Sequence, residues 1–378
     1  MPWPRTLLAL ALCCPVAAAA DWPQWLGPHR DATSTEVVAP WKEAPAVVWK
    51  QPVGEGHSSP VVAGGRVFLH YKVKDRDAEE VAAWDARTGK LLWRSEYARA
   101  PFKSLFGNGP RATPAVVGDK VYTFGITGVL SCFDAASGKP VWQVDTLKKF
   151  GGKNLYFGMS GSPLVDGKRV LVNVGAKGAS VVAFDRANGD VLWKSLDDAA
   201  SYASPILVGE GGRRQAIFLT HDGVVSLNPE DGRLFWRYRI VDLLSESSTT
   251  PVHVGDLLLA STITTGTVAL RLGEKGSEPT AAAAWQNGDL TCYFATPVPV
   301  GKDHVYMVTG TKPPAFKVTA TLRCVEAKTG KELWQKPGVG EYHASLLRTG
   351  DGKLLMLEDS GTLALLAPSP KGYRELAR

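Results

Sequence analysis

The sequence predicts an all-β protein, a β-propeller of four-stranded antiparallel blades, because three features recur along its 378 residues. The string AAWDARTGKLLW returns in four further variants, Ser-Pro or Thr-Pro pairs open successive units, and β-forming runs alternate with glycine-rich turns. Repetition about every 40–50 residues is typical of propellers. A catalytic residue is needed once, so we interpret the string as a building unit.

Each copy of the string places an acidic or amide residue four positions before Gly and eight before Trp. The copies are Asp85/Gly89/Trp93, Asp134/Gly138/Trp142, Asp185/Gly189/Trp193, Asn228/Gly232/Trp236 and Glu326/Gly330/Trp334. Such a side chain accepts backbone hydrogen bonds, and Gly supplies the positive φ that closes a type I turn with a bulge. The pattern predicts a hairpin turn followed by an outer strand, whose Trp fills the space where twisted blades splay apart.

The start of each unit predicts the innermost strand of a blade. Six units open with the pairs Ser59-Pro60, Thr113-Pro114, Ser162-Pro163, Ser204-Pro205, Thr250-Pro251 and Thr296-Pro297. A seventh opening, His343-Ala344-Ser345-Leu346, lacks the Pro. Seven inner-strand sets are therefore visible.

The sequence is compatible with either seven or eight blades. AVVWKQPVG, residues 46–54, is predicted to be an outer strand that precedes the first blade and helps to close the ring. Eight outer-strand candidates then face seven inner strands: the segments at Trp49, Trp93, Trp142, Trp193, Trp236, Trp285 and Trp334, and the final GYRELAR. Either one terminal strand is surplus in a seven-bladed ring, or an eighth blade is incomplete. We favour the eight-blade plan; pairing of Trp49 with the GTLALLA sheet would favour seven.

The first twenty residues are predicted to be a secretory signal peptide. MPWPRTLLALALCCPVAAAA carries one positive charge, an apolar stretch and small residues before Asp21. We expect cleavage between Ala20 and Asp21, which N-terminal sequencing checks, and a periplasmic or secreted protein. Cys13 and Cys14 raise the alternative of a lipoprotein, but Leu12 occupies a position where a small residue is wanted. Residues 21–45 would then form an extended N-terminal segment and residues 46–378 the propeller.

Charge and cysteine usage exclude several classes of function. The formal net charge is +6, and many charged residues lie on predicted turns around the ring, which indicates a solvated surface and no nucleic-acid partner. Cys132, Cys292 and Cys324 are predicted to be buried thiols. No zinc spacing, nucleophile elbow or phosphate loop is present, and no apolar run after residue 20 is long enough for a membrane helix. We expect a monomer.

A candidate ligand site lies where the inner strands enter the central channel. The residues two positions before each opening Ser or Thr are His57, Arg111, Ser160, Tyr202, Ser248, Phe294 and His343. Two imidazoles, hydroxyls and one cation suit a small anionic or polyhydroxyl ligand, with Arg111 as its anchor. Two alternatives remain: the ring is polar because the channel holds water, or Arg111 pairs with an acidic residue and braces the mouth.

The repeats resemble a known family. The D-x-x-T-G-K-x-x-W character, with DWPQWLGPHRDA, GPRATPAV and SGSPLV, resembles the pyrroloquinoline-quinone (PQQ) type of β-propeller repeat in secreted bacterial proteins. That superfamily includes quinoprotein alcohol dehydrogenases and a non-enzymatic scaffold of outer-membrane β-barrel assembly. Resemblance to the dehydrogenases implies PQQ, a calcium ion held by Glu, Asn and Asp oxygens, and a pair of adjacent cysteines. Here the one such pair, Cys13-Cys14, lies in the predicted signal peptide.

These observations together favour an exported, non-catalytic binding or scaffold propeller. We expect no catalytic residues, no metal and no cofactor, and a protein partner or a small polar ligand. The alternative is a quinoprotein-like oxidoreductase that uses PQQ and calcium.

Overall fold

A computed structural model describes residues 20–310 and 319–378 of the chain. These residues form seven four-stranded antiparallel sheets, in each of which the strands lie side by side in chain order. The all-β propeller class is therefore confirmed. The predicted signal peptide lies outside the described residues, except for Ala20. Within the described ranges, no helix has the length and apolar character needed to cross a membrane.

Blades one to four occupy the first two thirds of the chain. Blade one contains β1 (Val61–Ala63), β2 (Arg66–Lys72), β3 (Ala78–Asp85) and β4 (Leu91–Ala98). Blade two contains β5 (Ala115–Val117), β6 (Lys120–Phe124), β7 (Val129–Asp134) and β8 (Pro140–Asp145), followed by the short helix α1 (Thr146–Phe150). Blade three contains β9 (Leu164–Asp166), β10 (Arg169–Ala176), β11 (Ala179–Asp185) and β12 (Val191–Ser195). Blade four contains β13 (Ile206–Val208), β14 (Gln215–Thr220), β15 (Gly223–Leu227) and β16 (Leu234–Arg239).

Blades five to seven repeat the same order. Blade five contains β17 (Val252–Val254), β18 (Leu257–Thr262), β19 (Gly266–Lys275) and β20 (Glu278–Asn287). Blade six contains β21 (Val298–Val300), β22 (His304–Thr309), β23 (Thr321–Glu326) and β24 (Glu332–Pro337). Blade seven contains β25 (Ala344–Arg348), β26 (Leu354–Glu358), β27 (Leu363–Leu366) and β28 (Glu375–Ala377).

The repeated string forms the turn between the third and fourth strands, as predicted. In blade one the Asp85 carboxylate accepts a hydrogen bond from the Thr88 amide at 2.8 Å, and Gly89 has φ +69°. The Trp at the end of the string packs on the next blade. The Trp93 indole donates to the Ala135 carbonyl at 3.0 Å and covers Gly138. The turn glycines 138, 189, 232 and 330 thus serve both their own turns and the Trp of the preceding blade.

Gly138→Ala is expected to destabilise the protein by more than its backbone conformation alone requires. A Cβ at this position would lie 2.4 Å from the Trp93 ring, and φ is +72°. The left-handed conformation costs about 1–2 kcal/mol, and overpacking adds about 1–3 kcal/mol. Gly118→Ala is the matched control, because its φ is +62° and its Cβ would meet nothing within 4 Å. If urea unfolding gives the same loss of unfolding free energy for both variants, the packing role of Gly138 is contradicted.

The Ser and Thr residues that open the blades link neighbouring inner strands. The amide of Ser59 donates to the Thr113 hydroxyl at 3.1 Å, and the amide of Thr113 donates to the Ser162 hydroxyl at 2.9 Å. Ser162 repeats the contact with Ser204, and Thr250 with Thr296. The opening residue is therefore a hydrogen-bond connector between blades, a role that the repeat pattern alone did not indicate.

The end of the chain completes blade seven, and the prediction of a strand at residues 46–54 is wrong. GYRELAR supplies β28, which pairs with β27 of the GTLALLA segment. Residues 46–54 belong to no strand and Trp49 does not pair with that sheet. A strand needs backbone hydrogen bonds to a neighbouring strand, and none joins residues 46–54 to another part of the described chain. The favoured eight-blade plan gives no eighth sheet in residues 20–310 and 319–378, where the complete blades number seven.

Apolar side chains fill the spaces between successive blades. Between blades one and two, for example, Phe68 and Trp93 pack with Val121 and Phe133. All three described cysteines are free and buried, as predicted. Burial raises the pKa of Cys132 and of Cys292 to about 12, so both remain thiols at neutral pH.

Candidate binding site at the channel mouth

The seven predicted ring residues lie on the loops that connect one blade to the next inner strand. Side-chain contacts bring five of these residues into two groups. His57, Arg111 and Tyr202 meet the side chains or carbonyls of Phe106 and Phe157. Phe294 and His343 form the second group, with ring centroids 5.6 Å apart. We call this end of the channel the mouth.

Arg111 joins two mouth loops through backbone carbonyls. Its Nε donates to the Phe157 carbonyl at 2.7 Å, and one Nη donates to the Phe106 carbonyl at 2.8 Å. The guanidinium also lies 5.9 Å from the Phe157 ring centroid. No carboxylate forms a salt bridge with it among the described residues. The alternative to the predicted anchor, bracing of the mouth through an acidic side chain, is thus not seen, because the contacts of Arg111 are made with carbonyls.

The two histidines face the same opening. His57 Nε2 lies 3.1 Å from the Phe106 carbonyl oxygen, and His343 Nδ1 lies 3.9 Å from Asp359 Oδ2. Burial, and then the charge of Arg111, lower the pKa of His57 below its usual value. The His57 imidazole is therefore neutral at pH 7, beside the positive charge of Arg111.

Among the remaining ring residues, Ser160 bonds within its own loop, whereas Ser248 and Tyr202 bond to a neighbouring loop. Ser160 donates to the Gly158 carbonyl at 3.0 Å, and Ser248 donates to the Tyr293 carbonyl. The buried Tyr202 hydroxyl accepts from the Phe157 amide at 3.3 Å. These contacts hold the loops in place, and they leave few ring donors free for a small ligand.

Arg111→Ala is expected to lower the free energy of unfolding by about 1–2 kcal/mol, because charged hydrogen bonds to two loops are lost. Amide hydrogen exchange should accelerate at residues 104–107 and 156–158. If Arg111 instead anchors a small anion, Arg111→Ala should leave the free energy of unfolding and the exchange rates unchanged. Unchanged stability and exchange, together with lost binding of an anion such as citrate or phosphate, would contradict the bracing role. His57→Ala, which removes a neighbouring ring residue that makes one carbonyl contact, is the control.

Exposed apolar side chains cluster on the same loops, and the sequence analysis did not single them out as a group. We call them the mouth rim: Leu105, Phe106, Tyr156, Leu243, Leu244, Phe294 and Tyr342. Leu105 is 91% exposed and Leu243 is 84% exposed, values that an isolated folded domain has no packing reason to maintain. All four aromatic residues among the large exposed apolar side chains of the described chain belong to this rim. The feature of the sequence that could have identified this rim is the presence of apolar residues within predicted loops.

Residues 22–36, which we call the N-terminal plug, pack against the inner strands of several blades. Trp22 pairs with Val62 of blade one, and the Trp25 indole donates to the Thr250 hydroxyl beside blade five at 2.8 Å. Arg30 donates to the carbonyls of Ser162 and Pro163 at 3.2 and 3.0 Å. Burial without a carboxylate partner lowers the pKa of Arg30 to about 9.

A buried polar cluster contacts one of the mouth loops. Glu79, His70 and Arg99 have fully buried side chains. The Glu79 carboxylate accepts from the Tyr97 hydroxyl at 2.6 Å and from the Ile126 amide at 3.0 Å, and it lies 3.2 Å from His70 Nε2. Arg99 donates to the carbonyl of Asn108 on a mouth loop. The cluster thus connects blades one and two to the loop that carries Arg111.

The mouth does not bring together the oxygen donors that calcium requires. Calcium takes about 6–8 oxygen ligands. Asp359 accepts from the amides of Glu341 and Tyr342 at 2.9 and 2.7 Å, and Glu246 accepts from the Tyr293 hydroxyl. Across residues 20–310 and 319–378, no three His, Cys, Asp or Glu side chains come together as a metal site. We derive no catalytic step for this mouth.

Comparisons with known proteins agree with the fold and its repeats. The family model described as outer membrane protein assembly factor BamB matches residues 77–336. BamB of Burkholderia pseudomallei is 30% identical over 248 residues, which cover 61% of this chain and 57% of that protein. The quinohemoprotein alcohol dehydrogenase ADH IIB of Pseudomonas putida is 31% identical over 137 residues, 34% of this chain and 19% of the enzyme.

A solved structure shows the same architecture. The crystal structure of BamB from Moraxella catarrhalis superposes with a TM-score of 0.56 at 17% identity, and covers 82% of this chain and 83% of that one. The chain spans little more than half of the Burkholderia protein, and a much smaller share of the dehydrogenase. Because the BamB model matches more than half of the chain, this protein belongs to the BamB family of PQQ-like β-propeller repeat proteins.

Proposed function

We propose that this protein is an exported, non-catalytic scaffold that binds a partner protein through the mouth rim. The observation that carries the proposal is the concentration of exposed leucine, phenylalanine and tyrosine side chains on loops at one end of the ring. Aromatic residues dominate the binding energy of many protein interfaces. The name of the relatives, outer membrane protein assembly factor, supports a partner of this kind.

The arrangement of the rim favours a protein over a small ligand. Phe106 and Phe157 have ring centroids 5.4 Å apart, Phe157 and Tyr202 5.5 Å, and Tyr293 and Phe294 3.9 Å. These contacts hold the aromatic side chains in place before binding, which lowers the entropy cost of association. The ring donors beneath them are largely occupied by carbonyls, as described above. A broad apolar surface with few free donors matches a protein interface.

Periplasmic or secreted localisation is part of the proposal. It rests on the signal-like residues 1–20, and on relatives named as outer-membrane assembly factors. No catalytic role is assigned, for two reasons. The similarity to the dehydrogenase extends to only 34% of this chain and 19% of the enzyme. The described residues of the mouth also form no group of calcium ligands.

Site-specific photocrosslinking in the cells that express the protein tests the proposal. A photoreactive phenylalanine analogue at Leu243 of the mouth rim should capture one or a few proteins, which mass spectrometry identifies. The matched position is Leu192, an exposed leucine on the outer strand of blade three. Leu105→Asp combined with Leu244→Asp should abolish the capture without changing the melting temperature, because both side chains are exposed.

Two results would contradict this function. The first is equal capture from positions 243 and 192, which would place no special partner at the rim. The second is dye-linked alcohol oxidation with quinone absorbance after reconstitution of the purified protein with PQQ and Ca²⁺, since a scaffold should show neither.

A further inference from the structure

Two connections on the face opposite the mouth depart from the repeat. The first and second strands are joined by two residues in blades one, two, three and five, but by residues 209–214 in blade four. In blade five the turn string before Trp285 is missing, and β19 and β20 extend to ten residues each, joined by Gly276 and Ser277. Because the strands alternate in direction, both insertions lie at the end of their sheets away from the mouth loops.

These two insertions contact each other. Arg213 of the blade-four connection forms an ion pair with Glu274 of the blade-five hairpin, with 2.9 Å between Nη1 and Oε1. Arg233, at the turn before β16, pairs with Glu278 of the hairpin at 2.8 Å. Leu272 packs against the apolar cluster between blades four and five. The hairpin is thus held against blade four, and the two blades enclose a cleft.

This space, which we call the interblade cleft, has a volume of about 430 Å³. Sites for small molecules typically have volumes of about 300–1,000 Å³, with apolar walls and a few polar groups that orient the ligand. Leu272 and Pro279 contribute apolar surface to the cleft. Four polar side chains also line it: Glu210, Gln215, His253 and Glu274. The cleft therefore has the size and the mixed character of a small-molecule site.

Gln215 contributes a hydrogen-bond donor to the cleft. This residue is 7% exposed, and its Oε1 accepts from the Trp236 indole and from the Ser226 hydroxyl, both at 2.8 Å. Because an indole nitrogen only donates, the amide oxygen must be the atom that faces Trp236. The amide nitrogen, Nε2, has no hydrogen-bond partner in the described chain. A ligand that supplies an acceptor would satisfy this donor.

The other polar groups of the cleft supply acceptors. The Glu210 carboxylate makes no hydrogen bond or ion pair with any described residue, and Glu274 uses one oxygen for Arg213. Partial burial lowers the pKa of His253 below its usual value, so its imidazole is neutral at pH 7 and can both donate and accept. The cleft therefore combines unpaired acceptors with an unpaired donor, and its two carboxylates disfavour an anionic ligand.

We propose that the interblade cleft binds a neutral saccharide of one or two rings. Hydroxyl groups both donate and accept, so a saccharide can satisfy the Glu210 carboxylate and the Gln215 amide nitrogen together. A cation would leave the Gln215 donor without an acceptor, and an anion would be repelled by Glu210 and Glu274. The C–H face of a sugar ring would pack on Leu272 and Pro279. This site goes beyond the scaffold function and is separate from the mouth rim.

Isothermal titration calorimetry of the full-length protein with a panel of neutral saccharides tests the proposal. The panel contains the common hexoses, their N-acetylamino derivatives, and the disaccharides maltose, cellobiose and N,N′-diacetylchitobiose. At least one member should bind with a millimolar or lower dissociation constant, and it should shift the imidazole proton resonances of His253 in NMR spectra. The uronic acid that corresponds to this sugar should bind at least tenfold more weakly, because its carboxylate meets Glu210 and Glu274.

Glu210→Ala should weaken binding of the saccharide at least tenfold and leave the melting temperature nearly unchanged, because Glu210 is exposed and unpaired in the described chain. Glu43→Ala removes an exposed glutamate outside the cleft, and this matched control should bind the saccharide normally. His253→Ala should also weaken binding, and its NMR spectrum identifies the resonances that shift.

The rim and the cleft can be tested separately. The double variant Leu105→Asp/Leu244→Asp should bind the saccharide normally. Glu210→Ala should in turn leave photocrosslinking from position 243 unchanged. A failure of the scaffold proposal is therefore distinguishable from a failure of the saccharide site.

Four results would overturn the proposal. They are no binding by any member of the panel at its solubility limit, undiminished binding to the Glu210→Ala variant, equal affinity for the uronic acid, or binding of a polyamine such as spermidine in preference to every saccharide. The last result would assign the interblade cleft to a cation.

Discussion

Glu79→Ala is expected to lower the free energy of unfolding by about 3–5 kcal/mol, the largest effect of any single substitution considered, because it removes one partner of a buried ion pair. The substitution leaves His70, the Tyr97 hydroxyl and the Ile126 amide without their shared carboxylate, and it removes the ion-pair partner of the Arg99 guanidinium. Each of these groups remains in an interior where water cannot replace the carboxylate. Urea unfolding followed by tryptophan fluorescence measures the loss.

Glu96→Ala is the matched control, since Glu96 pairs with Arg76 on the surface of the same blade. Exposed ion pairs contribute about 0–1 kcal/mol. Comparable losses from Glu79→Ala and Glu96→Ala would show that the buried cluster does not hold blades one and two together.

The same cluster predicts a pH dependence. Burial raises the pKa of Glu79, but hydrogen bonding to His70, the charge of His70, and the Tyr97 and Ile126 donors lower it by more, so the pKa lies below its usual value. A carboxyl group with a lowered pKa in the folded state stabilises the fold above its unfolded pKa, and this contribution is lost as the pH falls through the folded value. Stability should therefore decline below about pH 4.5, and less steeply in Glu79→Gln than in the native protein.

Arg30→Ala is expected to cost about 2–3 kcal/mol, because the charged hydrogen bonds to Ser162 and Pro163 are lost. The two carbonyls then remain buried inside the ring without this donor. Hydrogen exchange of residues 22–34 should accelerate as the N-terminal plug loosens. His29→Ala changes an adjacent exposed residue and should leave exchange and stability as they are. Unaltered exchange of the plug in Arg30→Ala would show that Trp22 and Trp25 suffice to hold it.

The repeated elements could be predicted from the sequence because local chemistry determines them. Asp85 and Gly89 need only each other and the intervening residues to form their turn, and the turn positions Trp93 on an outer strand. Five copies of the pattern made the interpretation independent of any one of them. The propeller class follows from that repetition.

The segment at residues 46–54 shows where local pattern fails. AVVWKQPVG has the composition of a strand, and Trp49 takes the packing position of an outer-strand Trp. Strand formation, however, depends on a partner backbone that is distant in sequence, and the pattern contains no information about it. The composition was interpreted correctly as β-forming, but the hydrogen bonds that would make it a strand are absent from the described chain.

Ligand binding by the predicted ring stays a prediction, and the structure shows only where its residues lie and what they contact. Arg111 and His57 lie at the mouth, as their position before the opening Ser or Thr indicated. Their carbonyl contacts could not be read from the sequence, because Phe106 and Phe157 lie on loops without regular structure. Leu105 and Leu243 were overlooked because apolar residues are expected to be buried by default.

The N-terminal plug also constrains the order in which the molecule can be assembled. The Ser34 amide bonds to the Arg348 carbonyl, and the Lys353 ammonium bonds to the Val38 carbonyl across 315 residues of sequence. Contacts of such high sequence separation carry a large loop-closure entropy and are slow to form. Residues 32–38 cannot reach their final place until β25 and β26 exist, so a chain that emerges from its amino end keeps this segment free while the first six blades fold. Docking of the amino-terminal segment on blade seven is thus a late folding event, and the interval before it is when the chain is most open to proteases and chaperones.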